Sequence, residues 1–139
     1  EVVFKKYSPV GEMGASARQV AEVLFRTGGE ACIVTDRDHV VAVGGLPRKE
    51  LVEKRITTSL ERCMESRRVF SQGAGDGSGL LNPVEGLDKT ALVAVPILTA
   101  GDITGCVLLV AEDKATRPND THIKLTTAAA GFLGKQLED

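Results

Sequence analysis

Tryptophan is absent from this 139-residue chain, and aromatic residues are limited to one tyrosine and four phenylalanines. Aliphatic side chains must therefore form the core, and the apolar fraction of 42% is typical of a soluble mixed domain. The length fits one domain. No apolar run approaches the ~18 residues that a membrane-spanning helix needs, and no signal-like start is present. We expect a protein that neither spans nor crosses a membrane.

An excess of basic residues is also missing, because 17 lysines and arginines face 19 acidic residues and leave a net charge of −2. Domains that hold nucleic-acid phosphates usually gather basic side chains on one face. The short basic clusters of this chain have acidic neighbours that offset them. We therefore expect these residues alone to bind DNA poorly.

Cysteine is scarce, and its three positions are Cys32, Cys63 and Cys106. The odd number and the lack of a C-x-x-C pair predict neither a disulfide framework nor a zinc site. Cys32 and Cys106 lie within apolar runs, where a reduced cysteine behaves as a small hydrophobe. The pattern favours a cytoplasmic location, and we expect no metal site and no cofactor.

Catalytic signatures are missing as well. His39 and His122 have no H-x-E or P-C-x-x-C companion, which excludes a zinc deaminase. No nucleophile elbow accompanies a serine. The glycine-rich run at 73–79 lacks the Lys-Ser/Thr of a phosphate-binding loop. We expect no catalytic residue and no enzyme activity.

Helical segments are predicted from the spacing of apolar residues. The first runs from about Pro9, with Ser8 as a candidate cap, to Gly28-Gly29. Its apolar stripe consists of Val10, Met13, Ala17, Val20 and Leu24. One or two short helices are expected within 51–67. Asp120 or Thr121 should cap a last helix that ends near Leu137.

Strands are predicted at 31–35, 40–43, 91–98 and 103–110, with short strands also at 1–7 and from Val69. The two long runs are apolar almost throughout, which favours a central position in the sheet. Pro96 should mark a bulge or an unpaired edge, because proline cannot donate to the ladder. The glycine-rich stretch Ser71–Lys89 is interpreted as a mobile functional loop. An antiparallel sheet with both terminal helices packed on one face is the economical assembly.

The turn Asp36-Arg37-Asp38 lies between the first two of these strands. Local turn chemistry and an ion pair explain such a sequence. The alternative is that Arg37 reaches a ligand or a partner.

Five sequence blocks begin at Lys5 (KKYSP), Cys32 (CIVTDRDHVVAVGG), Arg48 (RKELVEKRITTSLERCMESR), Val95 (VPILTAGDITGCVLLV) and Thr127 (TAAAGFLGKQLED). Together with the order of elements, they resemble the GAF domain of sporulation transcription regulators of the AbrB superfamily. The resemblance implies an α+β fold of the profilin/PAS-like type. It also implies that residues 1–9 are the end of an AbrB-type DNA-binding domain and its junction, and that residues 10–139 are a sensor and oligomerisation domain. DNA would then be bound only through the missing N-terminal domain.

Such a sensor would hold an unknown small molecule between the sheet and the helices of 51–67, under the glycine-rich stretch. The candidate ligand-binding residues are Thr57, Cys63, Arg67, Arg68 and Ser71. A guanidinium matches the geometry of an anionic ligand, although a cation also suits the end of a helix. Cys63 is a candidate thiol site, with a core cysteine as the alternative.

A regular apolar stripe is typical of helices that pair, so we expect a homodimer or homotetramer. The candidate interface consists of Val10, Met13, Ala17, Val20, Leu24, Leu125, Ala129 and Phe132. For the first helix, the alternative is that the stripe packs on the protein's own sheet. One other function stays open: a purely structural dimerisation module without a ligand. A GAF-type methionine-sulfoxide reductase would need cysteines clustered near the glycine-rich stretch, whereas Cys32 and Cys106 lie in the predicted strands.

Overall fold

The computed structural model describes residues 9–73 and 80–138, with side chains from Met13 onward. Its elements are α1 (Pro9–Gly28), β1 (Cys32–Thr35), β2 (Val40–Gly44), α2 (Arg48–Leu51), α3 (Thr58–Ser66), β3 (Phe70–Ser71), β4 (Ala91–Thr99), β5 (Asp102–Val110) and α4 (Asp120–Gln136). The predicted order of elements is confirmed over these residues. The expectations for the strand at 1–7, the Ser8 cap, the side chain of Val10 and the run 74–79 lie outside the described residues.

The strands form one antiparallel sheet in the order β2-β1-β5-β4-β3. The central strand is β5, which pairs with β1 on one side and with β4 on the other. The edge strand β3 has only two residues and pairs Phe70 with Ala94. Beyond Ala94, this side of β4 has no strand partner in the described chain, and Pro96 lies in that stretch. The expected unpaired edge at Pro96 is therefore present.

Two apolar layers cover the two faces of the sheet, because successive residues of a strand point to opposite faces. On one face, α1 and α4 pack over residues that include Val34, Val107 and Leu109. On the other face, α2, α3 and part of the segment 80–90 pack over residues that include Ile33 and Leu108. The terminal helices therefore share one face, and the α+β fold implied by the resemblance is confirmed.

Glycines allow the terminal helices to lie close to the strands. A Cβ on Gly134 of α4 would overlap the carbonyl oxygen of Leu98 in β4. A Cβ on Gly44 of β2 would likewise overlap the carbonyl oxygen of Ala21 in α1. The absence of a side chain at these two positions sets how closely each helix approaches the sheet.

The cap of α4 differs from the prediction by one residue. Asn119 is the N-cap: its Oδ1 accepts a hydrogen bond from the backbone N–H of His122 at 2.8 Å. The Nδ1 of His122 in turn accepts from the backbone N–H of Asn119 at 3.1 Å. This reciprocal pair satisfies two backbone donors that a helix start leaves open, so neither Asp120 nor Thr121 is the cap.

Within residues 9–73 and 80–138, no helix combines the length and the apolar character needed to cross a membrane.

Candidate ligand and self-association sites

Thr57 fastens the start of α3 to the returning glycine-rich segment. Its Oγ1 accepts from the backbone N–H of Leu60 at 3.1 Å and donates to the carbonyl of Asn82. The backbone N–H of Thr57 donates to the carbonyl of Pro83 at 3.1 Å. Thr57 is therefore an N-cap whose hydroxyl is already engaged on both sides.

Arg67 and Arg68 lie at the opposite end of α3. Arg67 ends the helix with a left-handed φ of 61°, and its Nη1 donates to the carbonyl of Gly101 at 2.6 Å. Arg68 is exposed, and its backbone N–H donates to Oγ of Ser66 at 3.2 Å. A helix rises about 1.5 Å per residue, so α3 holds Thr57 and the arginines roughly 14 Å apart. The structure does not bring Thr57 together with the two arginines.

The three cysteines lie in environments that raise their thiol pKa values. Burial raises the pKa of Cys63 and raises that of Cys32 to about 12. The pKa of Cys106 is raised well above its ordinary value, first by complete burial and then by neighbouring Cys63. Because the thiolate is the reactive form, raised pKa values keep these side chains as thiols near neutral pH. The expected core role of Cys32 and Cys106 is confirmed, and half-buried Cys63 of α3 packs against the core.

Ser71 is half-buried in β3, where it pairs with Val93 of β4. It lies at the sheet edge where the glycine-rich stretch begins. Of the predicted ligand residues, Arg67, Arg68 and Ser71 are therefore grouped along the chain at one end of α3.

Thr35 is a buried polar residue that the sequence analysis missed. Its side chain is fully buried, and its Oγ1 has no hydrogen-bond partner among the described residues. Thr35 pairs with Cys106 of β5, which places it on the α3 face of the sheet. An unpaired buried hydroxyl is destabilising, so a polar partner at this position would be favourable. In the sequence, the indication of this buried polar residue is the threonine at the end of the apolar run ACIVT.

The Asp36-Arg37-Asp38 turn follows local turn chemistry. Asp36 Oδ1 accepts backbone hydrogen bonds from Asp38 and His39, both at 2.7 Å. Oxygen atoms of both aspartates and a ring nitrogen of His39 lie within 4.8 Å of one another. Asp36 is already committed to the turn, so this cluster is explained without a metal. Arg37 borders a cleft of about 230 Å³ that Met13 and Leu137 also line.

An open apolar groove lies between the outer sides of α1 and α4. Its volume is about 390 Å³, and it is lined by Gln19, Val20, Val23, Leu24, Leu125, Ala128, Ala129 and Phe132. Val23 is 59% exposed and Phe132 is 50% exposed. Five of the predicted interface residues line this groove, namely Val20, Leu24, Leu125, Ala129 and Phe132.

Some of the predicted interface residues are covered within the chain itself. Met13, Ala17 and Leu24 are at most 5% exposed, since they belong to the layer between α1 and the sheet. Ala129, at 9%, is also largely covered within the chain. For α1, the alternative that the stripe packs on its own sheet is correct. The exposed apolar side chain of α1 in the groove is Val23, one position away from the stripe.

Comparison with known proteins agrees with this fold and with the sequence blocks. The family described as stage V sporulation protein T C-terminal, transcription factor, matches residues 12–138. Stage V sporulation protein T of Bacillus subtilis (strain 168) is 33% identical over 138 residues, covering 99% of this chain and 76% of that protein.

Two solved structures show the same fold. The GAF domain of an Acinetobacter phosphoenolpyruvate-protein phosphotransferase has a TM-score of 0.69 at 10% identity, covering 90% of this chain and 81% of that chain. The cofactor binding GAF domain of the nutrient sensor CodY from Clostridium difficile has a TM-score of 0.59 at 14% identity, covering 86% and 83%. The protein thus has a GAF-like fold, and it belongs to the stage V sporulation protein T C-terminal family of transcription factors.

Proposed function

We propose that this chain is the regulatory part of a sporulation transcription factor, which binds a small molecule on the α3 face of its sheet and self-associates through the groove between α1 and α4. Membership of a transcription-factor family carries the regulatory assignment. Residues 1–9 would join it to an AbrB-type domain that binds DNA, and residues 10–139 would form the sensor and oligomerisation domain. Its place of action is then the cytoplasm, and it has no catalytic role.

Ligand binding is supported by the unpaired hydroxyl of Thr35. The side chain lies on the α3 face of the sheet, in an otherwise apolar layer, where a partner for it would be a specific contact. The fold is shared with a GAF domain that binds a cofactor in a nutrient sensor. A ligand regulates only if it binds one arrangement of the protein better than another. We therefore expect its binding to change self-association.

A thermal-shift screen of metabolites tests the sensing function. A ligand at 100 times its Kd stabilises the folded state by about 2.7 kcal/mol, which is a readily measured rise in Tm. Thr35→Val is the matched variant: it should remove or weaken the shift of a metabolite that acts on the wild type. A screen in which no metabolite raises the Tm of the wild type would count against sensing.

A purely structural dimerisation module is the second candidate. It is favoured by the close packing under α3, where Ile33, Leu60 and Leu108 are completely buried. This function predicts stable self-association together with no metabolite response. The same screen therefore separates the two candidates.

Self-association is supported by the apolar groove, whose occupant we take to be a second copy of the chain. Oligomers of identical chains are mostly symmetric, so each exposed apolar residue is buried twice across a two-fold axis. Val23→Glu and Phe132→Glu should therefore produce monomers in light scattering while circular dichroism stays unchanged. Val69→Glu is the control, because Val69 is 47% exposed and does not line the groove. A wild-type chain that is monomeric at the highest soluble concentration would refute this part of the proposal.

A further inference from the structure

Gln72 is a polar residue in an unusual environment. It follows β3 directly, at the start of the glycine-rich stretch, and is only 1% exposed. Glutamine is mostly exposed in folded proteins, since a buried amide must replace its hydrogen bonds with water. The hydrogen-bond partners of this side chain therefore indicate why it is buried.

Three segments of the chain meet at the Gln72 amide. Its Oε1 accepts a hydrogen bond from Oγ1 of Thr90 at 2.6 Å, at the point where the glycine-rich stretch returns to the sheet. Its Nε2 donates to the carbonyl of Thr116 at 2.7 Å and to that of Asp113 at 3.4 Å. Both carbonyls lie in the connector between β5 and α4. The side chain of Gln72 thus links both ends of the glycine-rich stretch to the connector between β5 and α4.

The connector has a second contact with the same segment. The guanidinium of Arg117 lies over Gly73, where a Cβ would overlap it. Nη1 of Arg117 also donates to the carbonyl of Ala115 at 3.0 Å, which holds the arginine to its own connector. Two residues after Arg117 comes Asn119, the cap of α4. The start of α4 is therefore linked to Gln72 by the hydrogen bond to Thr116 and by the short stretch of chain from Thr116 to Asn119.

We infer that Gln72 is a positioning residue that couples the glycine-rich stretch to the start of α4. A displacement of Gln72 moves the carbonyls of Thr116 and Asp113, and with them the cap of the helix that carries Leu125 and Phe132. The consequence for self-association rests on the proposed function, since the groove beside α4 is its proposed interface. The link between Gln72 and the start of α4 does not depend on it.

The test compares three variants by amide hydrogen exchange and by the dimer dissociation constant. Gln72→Glu keeps the acceptor for Thr90 but sets a carboxylate oxygen against the two connector carbonyls. Gln72→Met removes both hydrogen-bonding ends at similar volume, and it decides the matter if Gln72→Glu does not fold. Thr90→Val is the control, because it removes only the bond to the returning segment.

Both Gln72 variants should increase amide exchange in 113–123 by about tenfold, the effect of losing a buried hydrogen bond, with Thr90→Val close to wild type there. The dimer dissociation constant should change in the Gln72 variants and not in Thr90→Val. If all three variants lose Tm equally, with exchange in 113–123 and dimerisation as in the wild type, Gln72 has only a structural role and the inference is wrong. A monomeric wild type would refute the proposed self-association, while the exchange data would still decide the link to α4.

Discussion

The two faces of the sheet are built by different means. One face is covered by the two long helices α1 and α4, and Gly44 and Gly134 allow these helices to lie close to the strands. The face under α3 is covered by two short helices and part of a long connecting segment, with Thr57 fastening that segment in place. The helices that cover the first face are specified by local apolar periodicity. The segment that covers part of the second face is held by hydrogen bonds between residues that are distant in the sequence.

Under the proposed function, this difference corresponds to two roles within one small domain. Two long helices have more apolar surface than one sheet face can cover, and the surplus remains in the groove at Val23 and Phe132. The α3 face instead contains Thr35, whose hydroxyl has no hydrogen-bond partner in the described part of the chain, inside an apolar layer. Surplus apolar surface suits association with another chain, whereas an unpaired buried polar group suits a small polar ligand.

Replacing one buried leucine with alanine on each face tests how well each apolar layer adapts to a cavity. Leu133 of α4 and Leu60 of α3 are both completely buried. Each change to alanine should lower the free energy of unfolding by about 2–5 kcal/mol, with the smaller loss at Leu60 because a cover of short elements collapses more easily into a cavity. Denaturant unfolding measures both, with exposed Leu80→Ala as the control. A larger loss at Leu60 than at Leu133 would contradict the comparison.

The glycines of α4 provide the second test. Gly134→Ala should destabilise the protein by about 1–3 kcal/mol, because its Cβ would overlap the Leu98 carbonyl in β4. Apart from the local backbone of α4, no atom of the described residues lies within 4 Å of the corresponding Cβ position at Gly131, so Gly131→Ala should stabilise the helix by about 0.5–1 kcal/mol. Thermal unfolding of the two variants measures the contrast. Equal effects at both positions would mean that α4 does not lie against β4 as described.

The helical face was largely predictable, and its errors have simple causes. Apolar periodicity identifies the buried stripe of α1 but does not tell whether its own sheet or a second chain covers it. Met13 and Ala17 were therefore assigned to an interface although they lie in the core. The cap of α4 was off by one residue because Asn119, Asp120 and Thr121 are all good N-cap residues in succession.

The polar features of the molecule were not predictable from local sequence. Gln72 finds its partners 18 and more than 40 residues further along the chain, at Thr90, Asp113 and Thr116. At Thr35, the local sequence predicts only an ordinary strand residue, because threonine is common in strands. Both roles follow from the pairing of distant segments, which no motif in the chain encodes.

The cap of α3 provides a smaller test of the α3 face. Thr57→Ala should lower stability by about 1 kcal/mol, since it removes the acceptor for Leu60 and the donor to Asn82. Thr58→Ala is the matched control, because Thr58 is the exposed first residue of the helix and should change stability by less than about 0.5 kcal/mol. Chemical denaturation of both variants measures the difference. Similar stability of the two variants would show that Thr57 does not fasten the segment in solution.

The smallest expected effect is at Thr35 and concerns the polar character of the α3 face. Valine has nearly the shape of threonine without the hydroxyl, so Thr35→Val should raise the free energy of unfolding by up to about 1 kcal/mol when no small molecule is present. Thr35→Ser keeps the hydroxyl but leaves a small cavity, so it should be less stable than the wild type. The two variants separate the effect of the hydroxyl from that of volume.

Denaturant unfolding of all three proteins, with and without a metabolite that stabilises the wild type, measures the outcome. The ligand should stabilise the wild type and Thr35→Ser but act weakly on Thr35→Val, because only the hydroxyl offers a polar contact at that position. A Thr35→Val protein that is clearly less stable than the wild type without ligand would mean that the hydroxyl already has a partner in solution. The unpaired group would then no longer support a ligand under α3, and the two faces would differ in construction but not in function.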